Sequence, residues 1–184
     1  MTASVVKPAS SVGFGDRLYT AMRTYGPVCV GIDPHASLLK EWGLDDDANG
    51  VREFSLRVIE ALGGRVAAFK PQAAFFERHG SHGVAVLSDS SPLAGDAVTL
   101  SPYLGVGSLT PALELARQTG RGVFVLALTS NPEGASVQHA RTADGISVAG
   151  HVVSQLADFN SQCEQQHLGP AGIVVGATVG DAVK

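Results

Sequence analysis

Val28-Cys29-Val30-Gly31-Ile32-Asp33-Pro34-His35 is a continuous apolar run that ends on an acid and a proline. Continuous rather than alternating apolar character is what a parallel strand covered on both faces shows. Before it, Phe14, Leu18, Ala21 and Met22 repeat at helical spacing over residues 14–25, and Gly26-Pro27 stops that helix. The pattern then recurs. Residues 48–62 read as a helix ended by Gly63-Gly64, and residues 66–70 as a second strand closing on Lys70. A third strand, residues 96–100, runs into Ser101-Pro102. Residues 109–118 form a helix with Pro111 in its first turn. Residues 122–128 form another strand, 147–164 a long helix, and 171–176 the last strand. Strands alternating with helices imply parallel βαβ units joined by right-handed crossovers. The polar residues gather just after each strand, where a (β/α)8 TIM barrel keeps its active site.

Two features do not fit an intact barrel. Five strands are visible in 184 residues, whereas a full barrel typically needs ~250 residues. The connection after the second strand is also too short. Past Gly83 only residues 84–87 can begin a helix before Ser88-Asp89-Ser90-Ser91-Pro92, yet parallel neighbours need a crossover of about a dozen residues or more. An open parallel sheet with unpaired edges would be a poor monomer. The expectation is therefore one barrel domain over residues 13–184, behind a flexible tail of residues 1–12. Residues are expected to be omitted between Leu87 and Ser88 (the third-strand region) and beyond Lys184 (strands seven and eight). Whether such residues are merely disordered or truly deleted is open at the level of sequence. An omission at Leu87–Ser88 would set those two Cα atoms far beyond the ~3.8 Å of a normal link.

Composition narrows the function. An apolar fraction of 45% with 16% charged residues is an ordinary globular balance. The net charge of -4 argues against a nucleic-acid partner, which usually needs a basic surface. A small phosphate-bearing ligand needs only local backbone donors and one or two cations. Cys29 and Cys163 are far apart, and Cys29 lies in an apolar run, so it reads as a buried, reduced thiol of a reducing compartment. The first 18 residues lack a signal-type apolar core, and runs such as 123–128 are far too short to span a bilayer. The expected setting is cytoplasmic, with no membrane partner.

The candidate site residues stand at strand ends. Asp33 is either a turn residue before Pro34 or a strand-end acid facing a ligand. Lys70 closes an apolar run, where a lysine is costly to bury alone. It must therefore pair with a carboxylate or reach a cleft. Ser130 and Asn131 are candidates whose bland alternative is to build the turn before Pro132, and Ser101 before Pro102 is in the same position. His35, His82, His139, His151 and His167 show no metal spacing, and His35 reads as structural or near the rim. Gly105-Val106-Gly107 lacks the context of a dinucleotide fingerprint, and no Gly-x-Ser-x-Gly elbow is present. Phe75 and Phe76 read as core residues.

Five motifs fall in order at strand ends: Gly31-Ile32-Asp33-Pro34-His35, Phe69-Lys70-Pro71-Gln72, Ser101-Pro102-Tyr103-Leu104-Gly105, Thr129-Ser130-Asn131-Pro132-Glu133-Gly134 and Val174-Val175-Gly176-Ala177-Thr178. Together they resemble the orotidine 5'-phosphate decarboxylases, most strongly the subgroup of mycobacteria and related bacteria. Each motif alone is weak; five in sequence are hard to obtain by chance. The resemblance implies a (β/α)8 barrel that converts orotidine 5'-phosphate to UMP, the last step of de novo pyrimidine synthesis. It also implies action without metal or organic cofactor, as a homodimer with sites at the subunit interface. It makes Asp33 a contact to a ribose hydroxyl, Lys70 part of a Lys/Asp charge array beside the scissile carboxylate, and Ser130 a hydrogen-bond partner of the pyrimidine ring.

The family's central Asp-x-Lys-x-x-Asp signature is absent. It should lie between Leu87 and Ser88, where the crossover argument independently finds a hole. Its lysine is the proton donor, and its last aspartate serves the neighbouring subunit. The glutamine and arginine that grip the phosphate would lie beyond Lys184. Two other readings share the scaffold. One is a metal-dependent phosphosugar enzyme such as a hexulose-phosphate synthase. The other is a degenerate nucleotide-binding barrel that has lost the catalytic lysine.

Overall fold

The computed structural model describes residues 12–87, 93–164 and 166–179. Almost all of the expected tail, residues 1–12, lies outside the described residues, as do Ser88 and hence the Leu87–Ser88 link. The elements run α1 (Phe14–Tyr25), β1 (Cys29–Ile32), α2 (Ala36–Glu41), α3 (Ala48–Leu62), β2 (Ala68–Pro71), α4 (Ala74–Glu77), α5 (Gly80–Val86) and β3 (Ala97–Leu100). A 3-10 turn (Val106–Leu109) leads into α6 (Thr110–Thr119), then β4 (Gly122–Leu128). A second 3-10 turn (Pro132–Gly134) leads into α7 (Ala135–Gln138), then α8 (Val148–Ser161) and β5 (Ala171–Val175). All strand pairs are parallel. They form two sheets, β1-β2 and β3-β4-β5. The described residues divide into two compact units: those within 18–95, and residues 12–17 together with those within 96–179.

In the first unit, Cys29–Ile32 pairs in register with Ala68–Pro71, so that Gly31 stands opposite Lys70. Its core is built from Ile32, Leu39, Val51, Phe54, Phe76, Val86 and Leu93. Phe76 is fully buried and Phe75 packs partly against this cluster, as expected. Helix α3 starts where the Asp47 carboxylate accepts the Gly50 N–H at 2.7 Å, an N-cap that satisfies one of the helix's free donors. It ends at Gly63, whose N–H bonds the Ile59 carbonyl.

Two expectations fail in this unit. Cys29 is exposed rather than buried. It stands at the amino end of a strand with a single described partner, and in β1 only Ile32 is buried. The connection after β2 is also more helical than expected, because α5 begins at Gly80 and includes Gly83. A Cβ at Gly83 would lie 1.9 Å from the Phe76 carbonyl oxygen. Close packing against the preceding helix therefore overrides the low helix propensity of glycine.

In the second unit β4 is central and almost wholly buried, the pattern its apolar run foretells. Val123, Val125 and Ala127 pack with Val106, Leu113, Ala116, Val152, Leu156 and Ala171. Helix α8 is shorter than the expected 147–164, since Ser147 serves as its N-cap, accepting the Gly150 N–H, and the helix stops at Ser161. The first turn of α1 fastens the amino ends of all three strands. Arg17 donates to the Gly120 carbonyl at 2.9 Å and pairs with Asp96 at 3.0 Å, while the Phe14 and Phe124 rings meet edge to face. The Asp16 carboxylate accepts backbone N–H groups from Gln166, His167 and Leu168.

Those bonds, that from Gln166 foremost, hold the Asp16 carboxyl below the ordinary aspartate range. A depressed folded-state pKa contributes stability that is fully present above the unfolded value of ~3.9. That contribution is lost as pH falls through the folded value. Asp16→Asn is accordingly expected to lower the thermal midpoint at pH 7, with the difference from the parent shrinking at pH 3. A difference that stays constant across this range would remove the Asp16 charge from the account.

Candidate active site

Every candidate residue sits at or just past the carboxyl end of a parallel strand, because the strand's apolar run gives way there to polar residues free of the core. Asp33 follows β1 directly, and the His35 N–H closes a tight turn onto the Asp33 carbonyl at 2.8 Å. Its carboxylate lies back along the strand, 3.7 and 3.8 Å from where a Cβ on Gly31 would stand. Residues two apart share a face of a strand, so Asp33 occupies the space that Gly31 leaves open. Pro34 behind it is fully buried. Arg78 braces this turn, donating to the Pro34 carbonyl at 3.4 Å while its guanidinium grips both oxygens of Asp46. Arg78 in turn holds the Asp46 carboxyl below its ordinary value. His35 is exposed, and its ring packs against Phe75 with centroids 4.3 Å apart.

Of the two alternatives open to Lys70, pairing with a carboxylate or reaching away from the core to a cleft, the first does not occur among the described residues, and Lys70 is exposed. Its ammonium donates to the Gln72 side-chain oxygen at 2.8 Å. The Gln72 N–H continues the ladder to the Ile32 carbonyl at 3.1 Å. Asp33, Lys70 and Gln72 thus stand together at the ends of adjacent strands. Sequence reasoning missed Gln72 as a site residue, although it closes the Phe-Lys-Pro-Gln motif.

In the second unit Ser101 follows β3 and is exposed. The chain then turns through Tyr103 and Leu104, each 82% exposed, and the Gly105 N–H closes onto the Pro102 carbonyl. Ser130 and Asn131 follow β4. Asn131 accepts from the Thr129 hydroxyl and donates to the Glu133 carboxylate at 3.2 Å. The Glu133 carboxyl is held below its usual range by its own backbone N–H first and by Asn131 second. Past β5, the Gly176 N–H bonds the Leu128 carbonyl at 2.8 Å. A Cβ on Gly176 would come within 2.9 Å of the Ser130 nitrogen, so glycine is what lets these two strand ends close up. The Asn131 side chain thus has partners within the turn, whereas Ser130 makes no side-chain hydrogen bond among the described residues. Among those residues no group of three metal-ligating side chains converges, and no helix is long and apolar enough to cross a membrane.

Comparison with known proteins gives this arrangement a family. Residues 89–184 match the model of the Orotidine 5'-phosphate decarboxylase / HUMPS family. Orotidine 5'-phosphate decarboxylase of Salinispora tropica is 50% identical over 202 residues, covering 91% of this chain and 72% of the relative. That of Streptomyces coelicolor is 50% identical over 203 residues with the same coverage. A solved structure from Streptomyces avermitilis, assigned as an orotidine 5'-phosphate decarboxylase, superimposes with a TM-score of 0.85. It is 49% identical, and the match covers 98% of this chain and 75% of that one. The Leishmania donovani OMP decarboxylase structure matches with a TM-score of 0.69 at 28% identity, over 91% of this chain and 72% of that one. With half its residues shared along nearly its whole length, this chain belongs to the orotidine 5'-phosphate decarboxylase family, and its parallel strands are part of a (β/α)8 barrel.

Proposed function

We propose that this protein is a carboxy-lyase that converts orotidine 5'-phosphate to UMP in the cytoplasm, as a homodimer and without a metal. The observation that carries the reading is the set of polar side chains at successive parallel strand ends, in a chain half identical to named decarboxylases. Asp33 accepts a ribose hydroxyl, and Ser130 bonds the pyrimidine ring, with Ser101 and Asn131 as further substrate contacts. Lys70 places positive charge beside the reacting carboxylate. When the C6–carboxylate bond breaks, the electron pair remains on C6 in an orbital that the ring delocalises poorly. Fixed cations stabilise that charge as it develops. A second lysine then supplies the proton that completes UMP.

That second lysine belongs to the Asp-x-Lys-x-x-Asp segment, which we place between Leu87 and Ser88 of the complete protein, with residues 13–184 as parts of one barrel domain. Three observations support the placement. The alignment to the Salinispora relative runs over 202 residues, more than the 184 of the whole chain, so the relative carries residues that this chain does not match. The family model begins to match at residue 89, just past the junction. The division into two sheets falls between β2 and β3, the strands that flank it.

The test is loss of orotidine 5'-phosphate absorbance in the full-length protein, with and without a chelator. Turnover unchanged by chelator is the expected result. A requirement for magnesium would favour the phosphosugar reading, and nucleotide binding without turnover would favour the degenerate one.

A further inference from the structure

We propose that Gln138 is a positioning residue for the reaction: its side chain clamps the loop after β4 so that the hydroxyl of Ser130 is presented to the ring. This rests on the pyrimidine role proposed for Ser130. Gln138 is the last residue of α7 and uses both ends of its amide on one residue. Its oxygen accepts the Thr129 N–H at 2.8 Å, and its nitrogen donates to the Thr129 hydroxyl at 2.8 Å. Both partners are partly buried, and a two-point contact fixes the orientation of the peptide that leads into Ser130.

The clamp propagates along the loop. The Thr129 hydroxyl donates onward to Asn131, and Asn131 to Glu133. The polar side chains on either side of Ser130 are therefore committed, while its own exposed hydroxyl makes no hydrogen bond among the described residues. Gly134 completes the fit. A Cβ there would stand 3.0 Å from both the Gln138 nitrogen and the Thr129 hydroxyl, so the clamp occupies the volume that a side chain would need. With Gly176 closing on the Ser130 backbone from the next strand, the serine is held on two sides and open on the third.

A double-mutant cycle in the full-length protein tests the assignment, with kcat/KM for orotidine 5'-phosphate and the thermal midpoint both recorded. Ser130→Ala and Gln138→Met are each expected to lower kcat/KM by about tenfold, the scale of one hydrogen bond. The double variant should be no worse than the more damaging single one, because residues acting through one contact are not additive. Gly134→Ala crowds the clamp without removing it. It should reproduce a smaller loss that also vanishes in the Ser130→Ala background, which keeps the test valid if Gln138→Met folds poorly. Parent-like kcat/KM in Gln138→Met and Gly134→Ala would overturn the proposal, as would losses that multiply in full with Ser130→Ala. A silent Ser130→Ala would instead strike at the pyrimidine contact itself, and the clamp's catalytic role would fall with it.

Discussion

Lys70→Ala in the full-length enzyme is expected to lower kcat/KM by about 10²- to 10³-fold, the cost of removing one preorganised group from a developing charge. Lys70 sits opposite Gly31 across a parallel pair, and the Asp33 carboxylate lies back over the space that Gly31 leaves open. Its ammonium is exposed and held by the neutral oxygen of Gln72. Among the described residues no carboxylate pairs with it, which on the proposed reading leaves its charge for the substrate. Once bound substrate excludes water, the same charge acts at a lower effective dielectric and counts for more. The readout is the initial rate of absorbance loss across substrate concentrations. Turnover close to the parent's would take Lys70 out of the site.

A larger effect is expected at the Leu87–Ser88 junction. A protein running directly from Leu87 to Ser88 should turn over at least about 10⁴-fold more slowly than one carrying the Asp-x-Lys-x-x-Asp segment. It loses both the proton donor and a cation at C6, whose separate contributions are about 10²–10⁴ and 10²–10³. Peptide mapping decides which form is in hand. No Lys or Arg lies between Arg78 and Arg117, so a continuous chain gives one tryptic peptide from His79 to Arg117. A chain with the segment is cut at its lysine. Full activity in a protein that yields the uncut peptide would remove that lysine from the mechanism.

Much of this was legible in the residues themselves. Helices α1 and α3 fall where the apolar spacing and the Gly26-Pro27 and Gly63-Gly64 stops put them, and β4 where the run 122–128 does. In α3 and β4 the apolar pattern is buried, so pattern and packing agree, whereas in α1 Phe14, Leu18, Ala21 and Met22 are only half-buried. Helix α5 was not legible in full, because a helix starting at Gly80 has poor propensity and forms through its contact with α4. Cys29 misled because an apolar neighbourhood in sequence says nothing of how many strands flank it in space. Asp33, Lys70 and Ser130 stand out as polar breaks at strand ends. Gln72 and Gln138 do not, since a lone glutamine carries no spacing signal. Their partners, Lys70 and Thr129, become apparent only when the strand pleat and the return of α7 bring the side chains together.

The first turn of α1 grips β3, β4 and β5 at their amino ends through Arg17, Phe14 and Asp16, while the polar residues proposed to meet substrate crown the opposite ends. A division of this kind lets heat tolerance and selectivity be tuned separately. Changes at Phe14, Asp16 or Arg17 are therefore expected to move the melting point while leaving the choice of nucleotide alone.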